Sequence, residues 1–139
     1  MKIEVVCATV ALAASLILAA PHVASAEASA TCSGTGQDCD GYVTVSVDSP
    51  NKPVLLSLTA PKAHCSNIIY IVKYFQPGDQ LAMKVYAETE RLAPGQNAQM
   101  RLNIPAKQIR IYARGVQGGC NQGRLASWSV EAEVGPLLH

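Results

Sequence analysis

The chain has 139 residues, 49% of them hydrophobic and 15% charged, with a formal net charge of +1. That length supports one domain and is short for two. A balance so near zero sets aside a dedicated nucleic-acid binder, which is strongly basic, and an acidic disordered tail.

The first 26 residues read as a signal peptide. Lys2 supplies a charged start, residues 5–20 form an apolar run, Pro21 breaks it, and the small residues Ala24 and Ala26 place a cut before Glu27. The run is short for a span and no stop-transfer charge cluster follows, so no membrane span is expected after cleavage. A lipid attachment fits less well, because Cys7 lies inside the run and Ser29-Ala30-Thr31 before Cys32 lacks an aliphatic residue. The expected destination is the periplasm, the cell surface or the extracellular space.

Removing 26 residues from 139 leaves 113, and removing Cys7 from five cysteines leaves four: Cys32, Cys39, Cys65 and Cys120. An even count in a small exported chain points to two disulfides in an oxidising compartment. Of the three pairings, Cys32 with Cys39 and Cys65 with Cys120 is favoured. The first closes a small glycine-containing loop, and the second ties the central strand to the last long loop.

Residues 27–41 are small and polar and read as a disulfide-stapled, irregular arm ahead of a single domain over 42–139. Asp38, Asp40 and Gly41 have the look of a calcium loop. No further acidic residue follows until Asp48, however, and a solvated turn is the plainer reading. No metal and no cofactor are expected.

Residues 42–47 alternate, with Val43, Val45 and Val47 on one face and Tyr42, Thr44 and Ser46 on the other, as in a half-buried strand. Residues 54–59 are a second strand, richer in leucine. Residues 66–75 are the longest apolar, β-branched and aromatic run after the leader. There Ile68, Ile69, Ile71 and Val72 supply both faces of a central strand.

Pro77-Gly78 suits a type II turn. Beyond it, Leu81, Met83, Val85 and Ala87 alternate with Lys84 and Tyr86. A helix over 81–92 competes with this strand and loses to the clean alternation between two Pro-Gly turns. In 98–104, Met100, Leu102 and Ile104 read as inward and Gln99, Arg101 and Asn103 as outward. In 108–113, Ile109, Ile111 and Ala113 face the core and Arg110, Tyr112 and Arg114 do not. The short link between those strands permits a hairpin or a sheet-switching arch.

The glycine-rich loop 115–123 is held by Cys120. The last strand, 125–134, places Trp128, Val130, Ala132 and Val134 opposite in facing to Ser127, Ser129, Glu131 and Glu133. Trp128 reads as a core plug. Seven short strands without a convincing helix predict an all-β fold. The expected form is a two-sheet antiparallel β-sandwich, loosely immunoglobulin-like, with a small β-barrel as the alternative.

Reactive groups are sparse. Beyond the leader the chain has only His64 and His139, no G-x-S-x-G elbow, and paired acids at Glu88/Glu90 and Glu131/Glu133 that fit solvated faces. The expectation is that the protein is not an enzyme. Between Glu90 and Glu131 there is no acidic residue, yet Arg91, Arg101, Lys107, Arg110, Arg114 and Arg124 occur.

If the strands pair as read, Arg101, Arg110, Tyr112 and Arg114 share one outward face, with Lys84 and Tyr86 beside them. Guanidinium groups interleaved with tyrosine suit an anionic glycan or an acidic partner protein. Cross-strand pairing with Glu131 and Glu133 would neutralise that stripe. The sequence thus predicts an exported, non-catalytic binding module using this face or the loops beside Cys120. An assembly subunit acting through edge-strand pairing is the alternative, and a hydrolase using His64 a distant third.

Overall fold

The computed structural model describes residues 24–47, 50–122 and 124–137, the side chains of residues 24–26 and 80 excepted. Most of the expected signal peptide and His139 lie outside them. Among the described residues there is no helix, and eight strands build two four-stranded antiparallel sheets that do not close into a barrel. The strands are β1 Ala24–Thr31, β2 Val43–Ser46, β3 Val54–Thr59, β4 Ile68–Gln76, β5 Asp79–Glu88, β6 Asn97–Leu102, β7 Gln108–Gly115 and β8 Ser127–Pro136.

Sheet one runs β1-β8-β3-β6 and sheet two β2-β7-β4-β5. Only β4 and β5 are neighbours both in sequence and in a sheet, joined by the Pro77-Gly78 turn, where Gly78 takes φ +80°. A type II turn needs that left-handed value at its second central residue. Every other connection crosses the sandwich. The link from β6 to β7 is therefore the arch and not the hairpin, and it carries Ile104 into the core on its way across.

The core lies between the sheets. Sheet one contributes Leu56 and Leu58 from β3, Leu102 from β6 and Trp128, Val130 and Ala132 from β8. Sheet two contributes Val43, Tyr70, Val72, Ile109, Ile111 and Ala113. Period-two alternation puts each of these on the inner face, which is why six of the seven expected strands bury the face their apolar residues mark.

The exception is β5. Its pairing with β4 steps from Val72↔Ala87 to Lys73↔Val85, so Tyr86 is an extra residue in a β-bulge. The bulge resets the alternation and turns Tyr86 towards sheet one, where its hydroxyl donates to the Arg101 carbonyl at 2.8 Å. Leu81 and Val85, expected to face one way with the apolar set, are left 98% and 57% exposed.

The N-terminal arm also differs from expectation. Residues 27–31, expected to be irregular, lie in β1, which begins at Ala24 and is in register with β8 from Ala24↔Val134 to Thr31↔Ser127. Residues 37–39 continue along β7, with Cys39 N–H donating to the Ala113 carbonyl and Gly115 N–H to that of Gln37. The two cysteine pairs stand as expected. Cys32 and Cys39 have Cα atoms 5.0 Å apart, and Cys65 and Cys120 5.8 Å apart, both at bonding distance. Such pairs fit an oxidising environment.

His64 has a structural task. Strand β3 ends with Thr59 opposite Glu131, and two residues further on the register would bring Pro61, which has no N–H, opposite Ser129. The chain leaves the sheet there. Ser129 N–H donates instead to His64 Nε2 at 3.2 Å, and the Tyr70 hydroxyl donates to the Ser129 carbonyl at 2.7 Å. Two side chains thus replace a missing strand at the end of β8.

An accepting Nε2 must be unprotonated, and burial holds the His64 pKa below the ordinary histidine value. Because the folded-state value is depressed, the contribution is complete above the unfolded value of about 6.5 and declines as pH falls below it. His64→Phe is expected to cost about 1 to 3 kcal/mol at neutral pH by stranding the Ser129 N–H. It should also flatten the loss of stability between about pH 7 and 5. Urea unfolding of both proteins across that window checks this, and an unchanged pH slope would refute it.

Candidate functional site

The outer face of sheet two is built by the strand halves that do not enter the core. From β7 it receives Arg110, Tyr112 and Arg114, which alternate with buried Ile109, Ile111 and Ala113. From β4 it receives Lys73 and Phe75. The register sets Lys73 and Thr44 on either side of Arg110, and Met83 beside Phe75. Tyr42, just before β2, completes the face.

Cations and rings interleave there. The Arg110 guanidinium lies 3.9 Å from the Tyr42 ring centroid and 4.8 Å from that of Phe75, so aromatic rings flank it. The Lys73 ammonium sits 4.4 Å from the centre of the Tyr112 ring, which stands 5.4 Å from the Tyr42 ring at 42°. The Met83 sulfur lies 3.4 Å from the Tyr112 hydroxyl and 3.8 Å from Arg110 Nη1. Cation–π contacts contribute about 0.5 to 1 kcal/mol each at exposed sites. Their larger effect here is to hold two charges over a half-exposed aromatic floor.

Arg114 differs from Arg110. Its Nε donates to Asp38 Oδ1 at 2.5 Å and its Nη1 to Glu88 Oε1 at 3.2 Å, and these partners, Asp38 first, raise its pKa. Among the described residues no carboxylate forms such a pair with Arg110 or Lys73. The acids that neutralise Arg114 are therefore Asp38 and Glu88, not the expected Glu131 and Glu133. Those two stand exposed on β8 in the other sheet.

Of the four residues expected on one face, the structure brings together Arg110, Tyr112 and Arg114. Arg101 is on β6, opposite Leu55 in sheet one, and so on the far side of the sandwich. The crossing of the β6 to β7 link separates it. Lys84 and Tyr86 are not beside the group either, because the β5 bulge turns Tyr86 inwards and the register pairs Lys84 with core-packed Tyr74. The sequence reading missed Lys73, Phe75 and Met83, and did not connect Tyr42 to the face. The signal was the alternation of Lys73 and Phe75 with Val72 and Tyr74, obscured because the run around it is apolar on both faces.

The other candidates resolve into structure. Asp38 and Asp40 do not converge as calcium ligands. Asp38 serves Arg114, while Asp40 accepts from the Ser33 hydroxyl and, at 2.8 Å, from the Ser33 N–H, which lower its pKa. Trp128, 2% exposed, packs in the core with its ring 5.7 Å from that of Tyr70. His64 accepts the Ser129 N–H at its Nε2. A cleft of about 590 Å³ lies beside the Cys65–Cys120 pair, walled by His64, Asn67, Gln122, Arg124 and Ser127. It lacks the ring and cation pairing of the sheet-two face.

Comparison with protein-family models, with curated proteins and with solved structures found no match.

Proposed function

We propose that the chain is exported and that its folded domain is a non-catalytic binding module, which holds an anionic glycan or an acidic partner segment on the outer face of sheet two. The observation that supports it is the Arg110 guanidinium between the Tyr42 and Phe75 rings with the Lys73 ammonium over Tyr112. Rings flank Arg110, so its outer N–H edge remains for a carboxylate or sulfate, in the bidentate geometry a planar guanidinium favours. Tyr42, 41% exposed, and the half-buried Phe75 and Tyr112 offer apolar faces to the C–H side of a sugar ring.

The test is binding of the oxidised exported protein to a panel of polyuronates, sulfated glycans and acidic peptides at low and high salt. Arg110→Gln is expected to weaken binding about tenfold, equivalent to about 1.4 kcal/mol. Arg101→Gln, on the far sheet, should leave it unchanged. Equal losses in the two variants would mean that net charge, not this face, carries the binding. A second reading, assembly through a sheet edge, draws on Leu81 and Val85, both exposed on edge strand β5.

A further inference from the structure

Strand β1 begins at Ala24, three residues upstream of Glu27, where the small-residue site places the leader cut. The cut would remove the partners Ala24↔Val134, Ser25↔Glu133 and Ala26↔Ala132 while leaving β1 from Glu27 onwards, anchored by the Cys32–Cys39 pair. We infer that processing opens the outer edge of β8 over residues 132–134, and that this edge accepts an extended segment of a partner chain that alternates small aliphatic with basic residues.

The backbone pattern identifies what is exposed. Ser129 spends its N–H and carbonyl on the β3 side of β8, on His64 and Tyr70, whereas the Ala126 carbonyl accepts from Cys32 N–H on the β1 side. Alternate residues therefore turn the Ala132 and Val134 amides towards β1. After the cut these two N–H groups and their carbonyls have no strand opposite them, an arrangement that pairs readily with an added strand.

The chemistry of the occupant follows from what stands there before the cut and from what surrounds it. The register holds alanines opposite Val134 and Ala132, both core residues, so the inward positions take small apolar side chains. Outward, the edge carries exposed Glu131 and Glu133. Glu27 opposes Glu131 with like charge and the lost Ser25 opposed Glu133, so a lysine or arginine at that outward position supplies the missing complement.

This inference rests on the export reading and is independent of the anionic-ligand face. The full chain, isotopically labelled, is exported from a bacterial host, its N-terminus read by mass and its amide hydrogen exchange measured. Val130, still opposite Ala28, is the internal reference. The expected product starts at Glu27, with Ala132 and Val134 exchanging at least about tenfold faster than Val130.

A capped synthetic peptide alternating alanine with lysine should restore their protection, and the same peptide with proline at a central position should not. A product that retains residues 24–26 keeps the edge filled and overturns the inference together with the expected cut. A product starting at Glu27 whose Ala132 and Val134 exchange as slowly as Val130, or gain nothing from the peptide, overturns the inference alone. Concentration-dependent protection without peptide would overturn the partner strand in favour of a second copy of this chain.

Discussion

Replacing Cys65 and Cys120 together by serine is expected to lower stability by about 4 kcal/mol, the chain-entropy value for a loop of this size. The two residues are 55 apart in sequence and join the β3 to β4 connection to the β7 to β8 loop. Both segments cross between sheets, so the link restrains two crossings at once in a topology where nearly all connections are of that kind. Against a total of about 5 to 15 kcal/mol for a domain of this size, the loss is large. The Cys32–Cys39 pair, seven apart, closes a much shorter loop, and its removal should cost about 2 kcal/mol. Denaturant unfolding of the oxidised parent and the two double-serine variants checks the order. A larger loss from the short loop would contradict it.

The second large effect is expected at Gly41. A Cβ built there would lie 1.9 Å from the Thr31 carbonyl oxygen and 3.3 Å from the Ala30 Cβ. The obstruction is the backbone of β1 at the point where the arm doubles back past it, so no flexible side chain can move aside. Gly41→Ala must push β1 away from its register with β8 or shift the entry into β2. The expected cost is about 3 kcal/mol, the upper end of overpacking penalties. Gly36→Ala is the control, because a Cβ there meets nothing within 4 Å. It should change the urea midpoint little, and equal effects at the two sites would show that the close approach at Gly41 is not a constraint.

These two effects bear on how much of the molecule was legible in its sequence. Strands with β-branched alternation, such as β2 and β7, could be read to within a residue or two, because burial of one face enforces a period of two. Strand β1 could not. Its alanines alternate with polar residues as cleanly as any strand, but alanine has little β propensity and buries little area, so the segment reads as irregular. The crossing from β6 to β7 was also open, since Pro105 and its neighbours fit an arch or a hairpin equally well. That ambiguity alone decided whether Arg101 would join Arg110.

The site was legible in part for the same reason. Arg110, Tyr112 and Arg114 share a strand, and their common face needs only local alternation. Lys73, Phe75 and Met83 come to them from β4 and β5 through register, and the Tyr86 bulge that sets the β5 facing leaves no mark in composition. Nor could alternation alone distinguish the neutralised Arg114 from the available Arg110. That difference depends on Asp38, 76 residues earlier, being carried along β7 by the N-terminal arm.

The claim that an anionic ligand is held by the ring-flanked cations of sheet two is tested most directly by chemical-shift mapping. The labelled exported protein would be titrated with a short polyuronate at low salt and again at about 0.15 M, where exposed charges are screened beyond about 8 Å. The account predicts saturable shifts at Lys73, Arg110, Tyr112 and Phe75, weakened by salt and absent at Arg101. Shifts that follow Arg101 and Arg124 as strongly as Arg110, or none at all on sheet two, would contradict it.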